Sequence, residues 1–142
     1  AVTESQGGAA YYVQISAEGL FVGSGYYHLA SDQLQRFRDA VADGRTGPKL
    51  AAAVATLRKN KYSVASREAL KRTPRGFDAD HPRSELLRMN GVHIGRTFGA
   101  PRWLHTAGAA DRIVTTWRDA APVNRWLDRH VGPSTLAPPE PD

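Results

Sequence analysis

The chain has 142 residues, of which 41% are hydrophobic and 23% are charged, a balance typical of one globular domain and unlike that of a disordered protein. It contains no cysteine, which excludes a disulfide framework, a thiolate zinc site and a cysteine nucleophile, and which fits a reducing cytoplasm. The formal net charge of +5 favours anionic partners, and no apolar run is long enough to span a bilayer. We therefore expect a cytoplasmic protein without a membrane partner.

The first predicted elements form a β-hairpin. Residues 11–15 and 20–27 are rich in aromatic and β-branched types and are separated by a polar loop that ends in Gly19. We expect Gly19 to supply a positive φ, while Gly23 and Gly25 indicate a bulge or a close backbone approach. Because few residues precede the first strand, we expect that strand to pair with a missing N-terminal segment or with a partner chain.

Two helices are predicted after the hairpin. Ser31 or Asp32 is placed to cap the first helix, with Gln35 in position for a capping-box contact. The second helix begins at residues 47–48, with proline in the favoured first position, and ends at Asn60.

The remainder of the chain mixes short elements with one long helix. A short strand around Val64, a short helix after residues 80–82 and a strand from Val92 lead to a C-terminal helix that Pro122 is expected to end or restart. Three tryptophans are expected to anchor the core between this helix and the sheet: Trp103, Trp117 and Trp126.

The order of these elements lacks a regular βαβα alternation. It predicts an α+β fold in which an antiparallel or mixed sheet carries helices mainly on one face. We expect a single domain over residues 1–132, followed by a proline-rich, disordered tail over residues 133–142.

Cations and turn residues concentrate between the short strand and the short helix. Lys71, Arg72 and Arg75 lie within five positions, so a curved loop can direct several donors at one anion. Asp80 is placed to orient His81 as a general base. Alternatively, Asp80 caps the short helix and His81 has no chemical role.

The end of the second strand offers a stacking platform for a planar ligand beside the basic loop. Tyr26, Tyr27 and His28 stand there in succession. Alternation along a strand sends adjacent tyrosines to opposite faces, so only one of the two can join a pocket. We take Tyr26 and His28 as candidate ligand-binding residues.

Neither a metal nor a cofactor is expected. The five histidines never show a compact ligand spacing such as two histidines four residues apart on a helix. The glycine-rich residues 23–28 lack the third glycine of a dinucleotide-binding fingerprint.

One motif carries a resemblance to a known family. It consists of Leu70-Lys71-Arg72, Pro74, Gly76-Phe77, Asp80-His81-Pro82 and Leu86-Leu87-Arg88, and the hairpin run at residues 19–27 accompanies it. Together these residues resemble the uncharacterised bacterial domain-of-unknown-function 2461 family over most of the chain. The resemblance implies a fold but no activity. Members of that family usually carry an additional N-terminal portion, so we expect the resemblance to cover the C-terminal two-thirds of the family only. It implies that this chain is either a C-terminal fragment or the product of cleavage.

Three functions are compatible with these features. The first is a cytoplasmic binding module that captures an anionic, phosphate-bearing small molecule or a nucleic acid through Lys71, Arg72 and Arg75. The second is a small cofactor-independent enzyme that uses Asp80 and His81 on an anionic substrate. The third is a protein-interaction domain completed by a missing N-terminal segment or by a partner chain.

Overall fold

The computed structural model describes residues 2–3, 9–17, 19–99 and 107–136. Five strands and four helices lie within these ranges, and they confirm the predicted α+β fold. The strands are β1 (Val2–Thr3), β2 (Ala10–Ser16), β3 (Gly19–Tyr26), β4 (Ser63–Ala65) and β5 (Val92–Phe98). The helices are α1 (Ser31–Ala42), α2 (Gly47–Lys59), α3 (Ser84–Leu87) and α4 (Ala107–His130).

The strands form one antiparallel sheet in the order β1-β2-β3-β5-β4. β2 and β3 are the predicted hairpin, and β1 pairs with the outer edge of β2. Gly19 turns the hairpin with a φ of 119°, as expected for a glycine in this conformation. In the centre of the sheet β3 pairs with β5, which places Gly23 opposite Gly95 and Ser24 opposite Ile94.

One face of the sheet carries the core. The even-numbered side chains of β3, from Leu20 to Tyr26, are all buried, as alternation along a strand predicts for a face covered by other elements. The core cluster joins this face to all four helices, with members such as Tyr26, Ile94, Phe37, Val54, Leu87 and Val123. We call this the helix face and the opposite one the open face.

Helix α4 crosses the helix face and is held there by polar contacts. Asn124 Nδ2 donates to Ser24 Oγ at 2.9 Å, and Tyr26 Oη donates to Asp128 at 2.5 Å. Pro122 lies inside the helix, so the expectation that it ends or restarts α4 is wrong. Because Pro122 is exposed, water can hydrate the carbonyl group that its missing N–H leaves unpaired.

Trp117 joins α4 to the sheet as predicted, whereas Trp126 packs between α4 and the connection from α1 to α2. Trp126 is buried, and its Nε1–H donates to the carbonyl oxygen of Thr46 at 2.9 Å. Trp117 donates to the carbonyl oxygen of Gly23 at 3.2 Å. Trp103 lies outside the described residues.

The first helix begins differently from the prediction. Ala30 is the N-cap residue of α1, and its backbone N–H donates to Gln33 Oε1 at 2.9 Å. The predicted cap through Ser31 or Asp32 with Gln35 is therefore wrong. The side chain of Gln33, three residues after the N-cap, instead satisfies a backbone donor at the start of α1.

Asp32 bonds to the C-terminal segment. Its carboxylate accepts from Ser134 Oγ and from the backbone N–H of Thr135, each at 2.8 Å. Arg36 adds a hydrogen bond to the carbonyl oxygen of Pro133 at 2.9 Å. Residues 133–136 of the predicted tail therefore contact α1, and residues 137–142 lie outside the described ranges.

The remaining elements follow the prediction closely. Helix α2 has Pro48 in its first turn and Asn60 as its C-cap residue. The short strand around Val64 and the short helix after residues 80–82 are both present. Within the described residues, no helix combines the length and the apolar character that crossing a membrane requires.

Candidate functional site

The loop between β4 and α3 is tied to the α3 region by hydrogen bonds from residues 70 and 73. The backbone N–H of Leu70 donates to the carbonyl oxygen of Arg88 at 2.7 Å. Further along, the hydroxyl group of Thr73 shares a hydrogen bond with that of Ser84 and donates to the carbonyl oxygen of Ala79. These contacts fold the loop back onto α3, so that loop cations and helix residues meet.

A depression of about 400 Å³ lies where they meet, and we call it the basic pocket. Three of its lining residues are cations and two are hydroxyl side chains. The full set is Lys71, Arg72, Thr73, Ala79, Ser84 and Arg88. Two of the three predicted loop cations therefore lie together, and Arg88 from the end of α3 joins them.

The charge of the basic pocket is not neutralised by its own lining, which contains no acidic residue. None of the salt bridges in the described part of the chain involves Lys71, Arg72 or Arg88. The nearby acid Glu85 forms its salt bridge with Arg58, and that hydrogen bond lowers the pKa of Glu85, with a smaller contribution from the charge of Arg88. The Nε atom of Arg88 is buried without a hydrogen-bond partner, so a donor with unmet capacity lies at this site.

Arg75 lies apart from the basic pocket. It is exposed in the turn that includes Gly76 and is not among the residues that line the depression. The structure thus separates the third predicted cation from Lys71 and Arg72.

The Asp80–His81 pair shows no hydrogen bond between its two side chains. His81 Nδ1 accepts the backbone N–H of Arg83 at 3.0 Å, which occupies one ring nitrogen. The backbone N–H of Asp80 donates to Asp78 Oδ1 at 2.9 Å. Helix α3 begins at Ser84 with Arg83 as its N-cap residue, so the alternative that Asp80 caps it is wrong. The catalytic role of the pair stays a prediction.

Tyr26 and His28 lie on different sides of the sheet. Tyr26 is 4% exposed and faces the helices, where burial and the hydrogen bond to Asp128 raise the pKa of its hydroxyl group. His28 is exposed and lines a second depression on the open face. Tyr27, the other tyrosine of the pair, points to that open face. Neither Tyr26 nor His28 lines the basic pocket.

The second depression, which we call the open-face cleft, has a volume of about 650 Å³. It extends from β2 across β3 and β5 to β4 and to the loop that follows β4. Its lining is mostly aromatic and polar, and consists of Tyr12, Phe21, Tyr27, His28, Ser63, Arg67, Glu68, Asn90, His93, Ile94 and Gly95.

His93 and Tyr27 form the most closely packed pair of this cleft. Their ring centroids are 4.4 Å apart at an interplanar angle of 87°, and His93 Nε2 lies 3.1 Å from the carbonyl oxygen of Tyr27. Burial lowers the pKa of His93, with a smaller contribution in the same direction from Arg67. Burial also raises the pKa of Tyr27, and the neighbouring Tyr12 adds to that effect. Near neutral pH both side chains are therefore uncharged.

His93 stands in no sequence motif that would predict a role for it. Alternation along β5 does not by itself show that His93 shares a face with Tyr27. That depends on the register between β3 and β5, which is a long-range property.

Within the described residues, no group of three His, Cys, Asp or Glu side chains has the geometry to hold a metal ion. The donors that converge at the two depressions are cationic, hydroxyl or aromatic groups, which are suited to anions and planar organic molecules.

The comparison with protein families gives a match to a conserved hypothetical protein family (DUF2461) over residues 1–126. The chain belongs to this family. The match confirms the resemblance found in the sequence, and no activity comes with the description of DUF2461. The chain matches no curated protein and no solved structure.

The motif that carried the resemblance to DUF2461 coincides with the basic pocket. Lys71, Arg72 and Arg88 belong both to the motif and to the pocket lining. Phe77 of the same motif packs against the core cluster. The segment characteristic of the family therefore both closes the core and presents cations to solvent.

Proposed function

We propose that this protein is a cytoplasmic binding module for a phosphate-bearing small molecule, which it holds in the basic pocket. The observation that carries the proposal is the convergence of Lys71, Arg72 and Arg88 on one depression whose lining contains no acidic residue. Cations placed together repel one another, and a bound anion relieves that repulsion.

The chemistry of the lining favours phosphate over a simple carboxylate. The guanidinium group of an arginine offers several donors in a planar fork, and lysine adds a mobile point charge. Thr73 and Ser84 place hydroxyl groups at the same depression. A phosphate group accepts from several such donors at once because its oxygens are distributed around one centre.

The buried Nε of Arg88 supports the same proposal. A buried donor without a partner costs about 1–3 kcal/mol, and an acceptor brought by a ligand would recover that cost. Arg88 is the C-cap residue of α3, and its carbonyl oxygen accepts the backbone N–H of Leu70 from the loop. This hydrogen bond fixes the position of the basic pocket relative to the core.

Arg72 provides the direct test of the proposed function, with Arg75 as a matched control. Both are exposed arginines of the same loop, and their replacement by alanine changes the net charge equally, but only Arg72 lines the pocket. We expect Arg72→Ala to weaken the binding of inorganic pyrophosphate by roughly tenfold or more, the loss of one charged hydrogen bond. Arg75→Ala should leave affinity within about twofold, since exposed distant charges are screened. Isothermal titration calorimetry measures both constants.

Equal losses in the two variants would show that binding reflects the net charge and would contradict the proposal. Nucleic acid is the other outcome of the test. If a single-stranded oligonucleotide binds more tightly than pyrophosphate, and its affinity falls steeply with salt concentration, the surface is a nucleic-acid interface.

A further inference from the structure

Two glycines form the floor of the open-face cleft. Gly23 of β3 and Gly95 of β5 are cross-strand neighbours there. A Cβ added to Gly95 would lie 2.6 Å from Phe21 Cζ, and one added to Gly23 would lie 3.1 Å from Tyr27 Oη. Aromatic rings therefore lie directly against backbone, and the floor has no side chains of its own at these two positions.

Two edge-to-face aromatic pairs border this floor. Tyr12 and Phe21 have ring centroids 5.8 Å apart at 61°, and Tyr27 packs on His93 at 4.4 Å. Rings arranged in this way expose both faces and edges, which are the surfaces on which another planar ring packs.

The cleft also contains polar groups with unused hydrogen-bonding capacity. Tyr27 Oη is buried and has no hydrogen-bond partner. If His93 donates from Nε2 to the carbonyl oxygen of Tyr27, its Nδ1 is left as an acceptor. Tyr27 and His93, which both line the cleft, therefore offer a donor and an acceptor to a ligand.

The charges of the cleft differ from those of the basic pocket. Apart from its two histidines, the lining contains one cation and one anion, Arg67 and Glu68, whose formal charges cancel. A ligand recognised here needs no net charge, whereas the basic pocket selects an anion. The volume of about 650 Å³ falls within the range of roughly 300–1,000 Å³ typical of small-molecule sites.

From these observations we propose that the open-face cleft is a second ligand site, which binds the uncharged planar heteroaromatic ring of a small molecule. The ring packs against the aromatic side chains over the glycine floor. Its polar edge exchanges hydrogen bonds with Tyr27 Oη and His93 Nδ1. This site does not depend on the basic pocket, because the two depressions share no lining residue.

The test uses uncharged planar compounds and the ring signals of His93. Adenosine, guanosine, lumichrome, nicotinamide and indole are titrated separately into the isotope-labelled protein while the imidazole resonances are followed by NMR. We expect at least one compound to shift the signals of His93 with saturation. The same compound should bind to Arg72→Ala with unchanged affinity, which separates this site from the proposed function.

A pair of leucine substitutions locates the binding. Ser63 lines the cleft, whereas Thr97 is exposed on the same face without lining it. Ser63→Leu should fill the cleft and weaken binding roughly tenfold or more, comparable to the loss of one stacking contact. Thr97→Leu should leave affinity unchanged. If Ser63→Leu does not fold, His93→Gln, which removes the ring, should cause a loss of similar size.

Three results would overturn the proposal. They are the absence of any saturable shift at His93 with all five compounds, equal affinity in Ser63→Leu and the wild type, and preferential binding of a single-stranded oligonucleotide to the cleft. The last result would identify the open face as a nucleic-acid surface instead.

Discussion

At the scale of single residues, Gly25 shows how closely two strands approach. Its φ is 133°, and an added Cβ would lie 2.0 Å from the carbonyl oxygen of Val92 on β5. Gly44, which follows α1, has open space around the position of a Cβ. We expect Gly25→Ala to lower the free energy of unfolding by at least about 1–3 kcal/mol, the cost of one strained residue. Gly44→Ala should change it by less than about 1 kcal/mol. Urea denaturation measures both values.

Equal effects of the two substitutions would contradict this account. They would mean that β3 moves away from β5 without cost and that the close approach at Gly25 is not required by the sheet.

A buried polar pair gives a second prediction at this scale. Ser24 and Asn124 are both nearly inaccessible, and Ser24 Oγ also donates to the carbonyl oxygen of Ala10 at 2.9 Å. We expect Ser24→Ala to destabilise the fold by about 1–3 kcal/mol, because it leaves the buried amide N–H of Asn124 without its acceptor. Asn124→Ala should cost less, because Ser24 Oγ keeps its hydrogen bond to Ala10. The double variant should lose less than the sum, with a coupling energy of about 0.5–3 kcal/mol. Thermal and urea unfolding of the wild type, the two single variants and the double variant give the free energies of unfolding for this double-mutant cycle.

Strict additivity in that cycle would show that the hydrogen bond contributes nothing to stability. Helix α4 would then be held on the sheet by apolar packing and by the hydrogen bonds of Tyr26 and Trp117.

At the scale of elements, Asp32 links α1 to the C-terminal segment. The hydrogen bond from the backbone of Thr135 is the largest cause that lowers the pKa of Asp32 to about 2, and Ser134 and Arg36 act in the same direction. Since the pKa in the unfolded chain is about 3.9, the stabilisation is present above roughly pH 4 and is lost as the pH falls towards 2. Asp32→Asn should therefore be less stable than the wild type at pH 7 and equally stable near pH 2.

The measurement is the pH dependence of urea unfolding, with the backbone amide signal of Thr135 as a local probe. Asp39→Asn is the control, because it removes a carboxylate from the same helix without touching the C-terminal segment. A difference between Asp32→Asn and the wild type that persists unchanged at pH 2 would contradict the assigned role of the charge.

At the scale of the whole molecule, Trp126 joins α4 to the connection between α1 and α2. It is buried, packs against Phe37 with ring centroids 6.1 Å apart and donates to Thr46. We expect Trp126→Ala to destabilise the domain by about 3–5 kcal/mol, as a truncated buried aromatic side chain does. Unfolding followed by tryptophan fluorescence and by circular dichroism should remain a single transition.

Trp117→Ala is the comparison for this prediction, because Trp117 is only half-buried against Tyr11. A larger loss at Trp117 than at Trp126 would mean that the edge of the sheet, and not the contact with α1, limits the stability of the fold.

Local sequence signals were sufficient for most elements. The hairpin, α2 and β5 follow from short-range rules, because strand alternation, a proline in the first helical turn and a glycine in a turn act within a few residues. Pro122 shows the limit of such rules. Packing of Val123 and Asn124 on the sheet keeps α4 continuous through a residue that would end an isolated helix.

By itself the sequence determined the α+β class, the family and the cluster of cations in the loop before α3. The tertiary structure decided which of these cations meet, since only the fold brings Arg88 to Lys71 and Arg72 and separates Arg75 from them. It also decided that Tyr26 faces the core and that His93 joins Tyr27 on the open face. The reason is physical: residue types and local spacing are written in the chain, whereas strand register and helix docking arise from contacts between residues far apart in sequence.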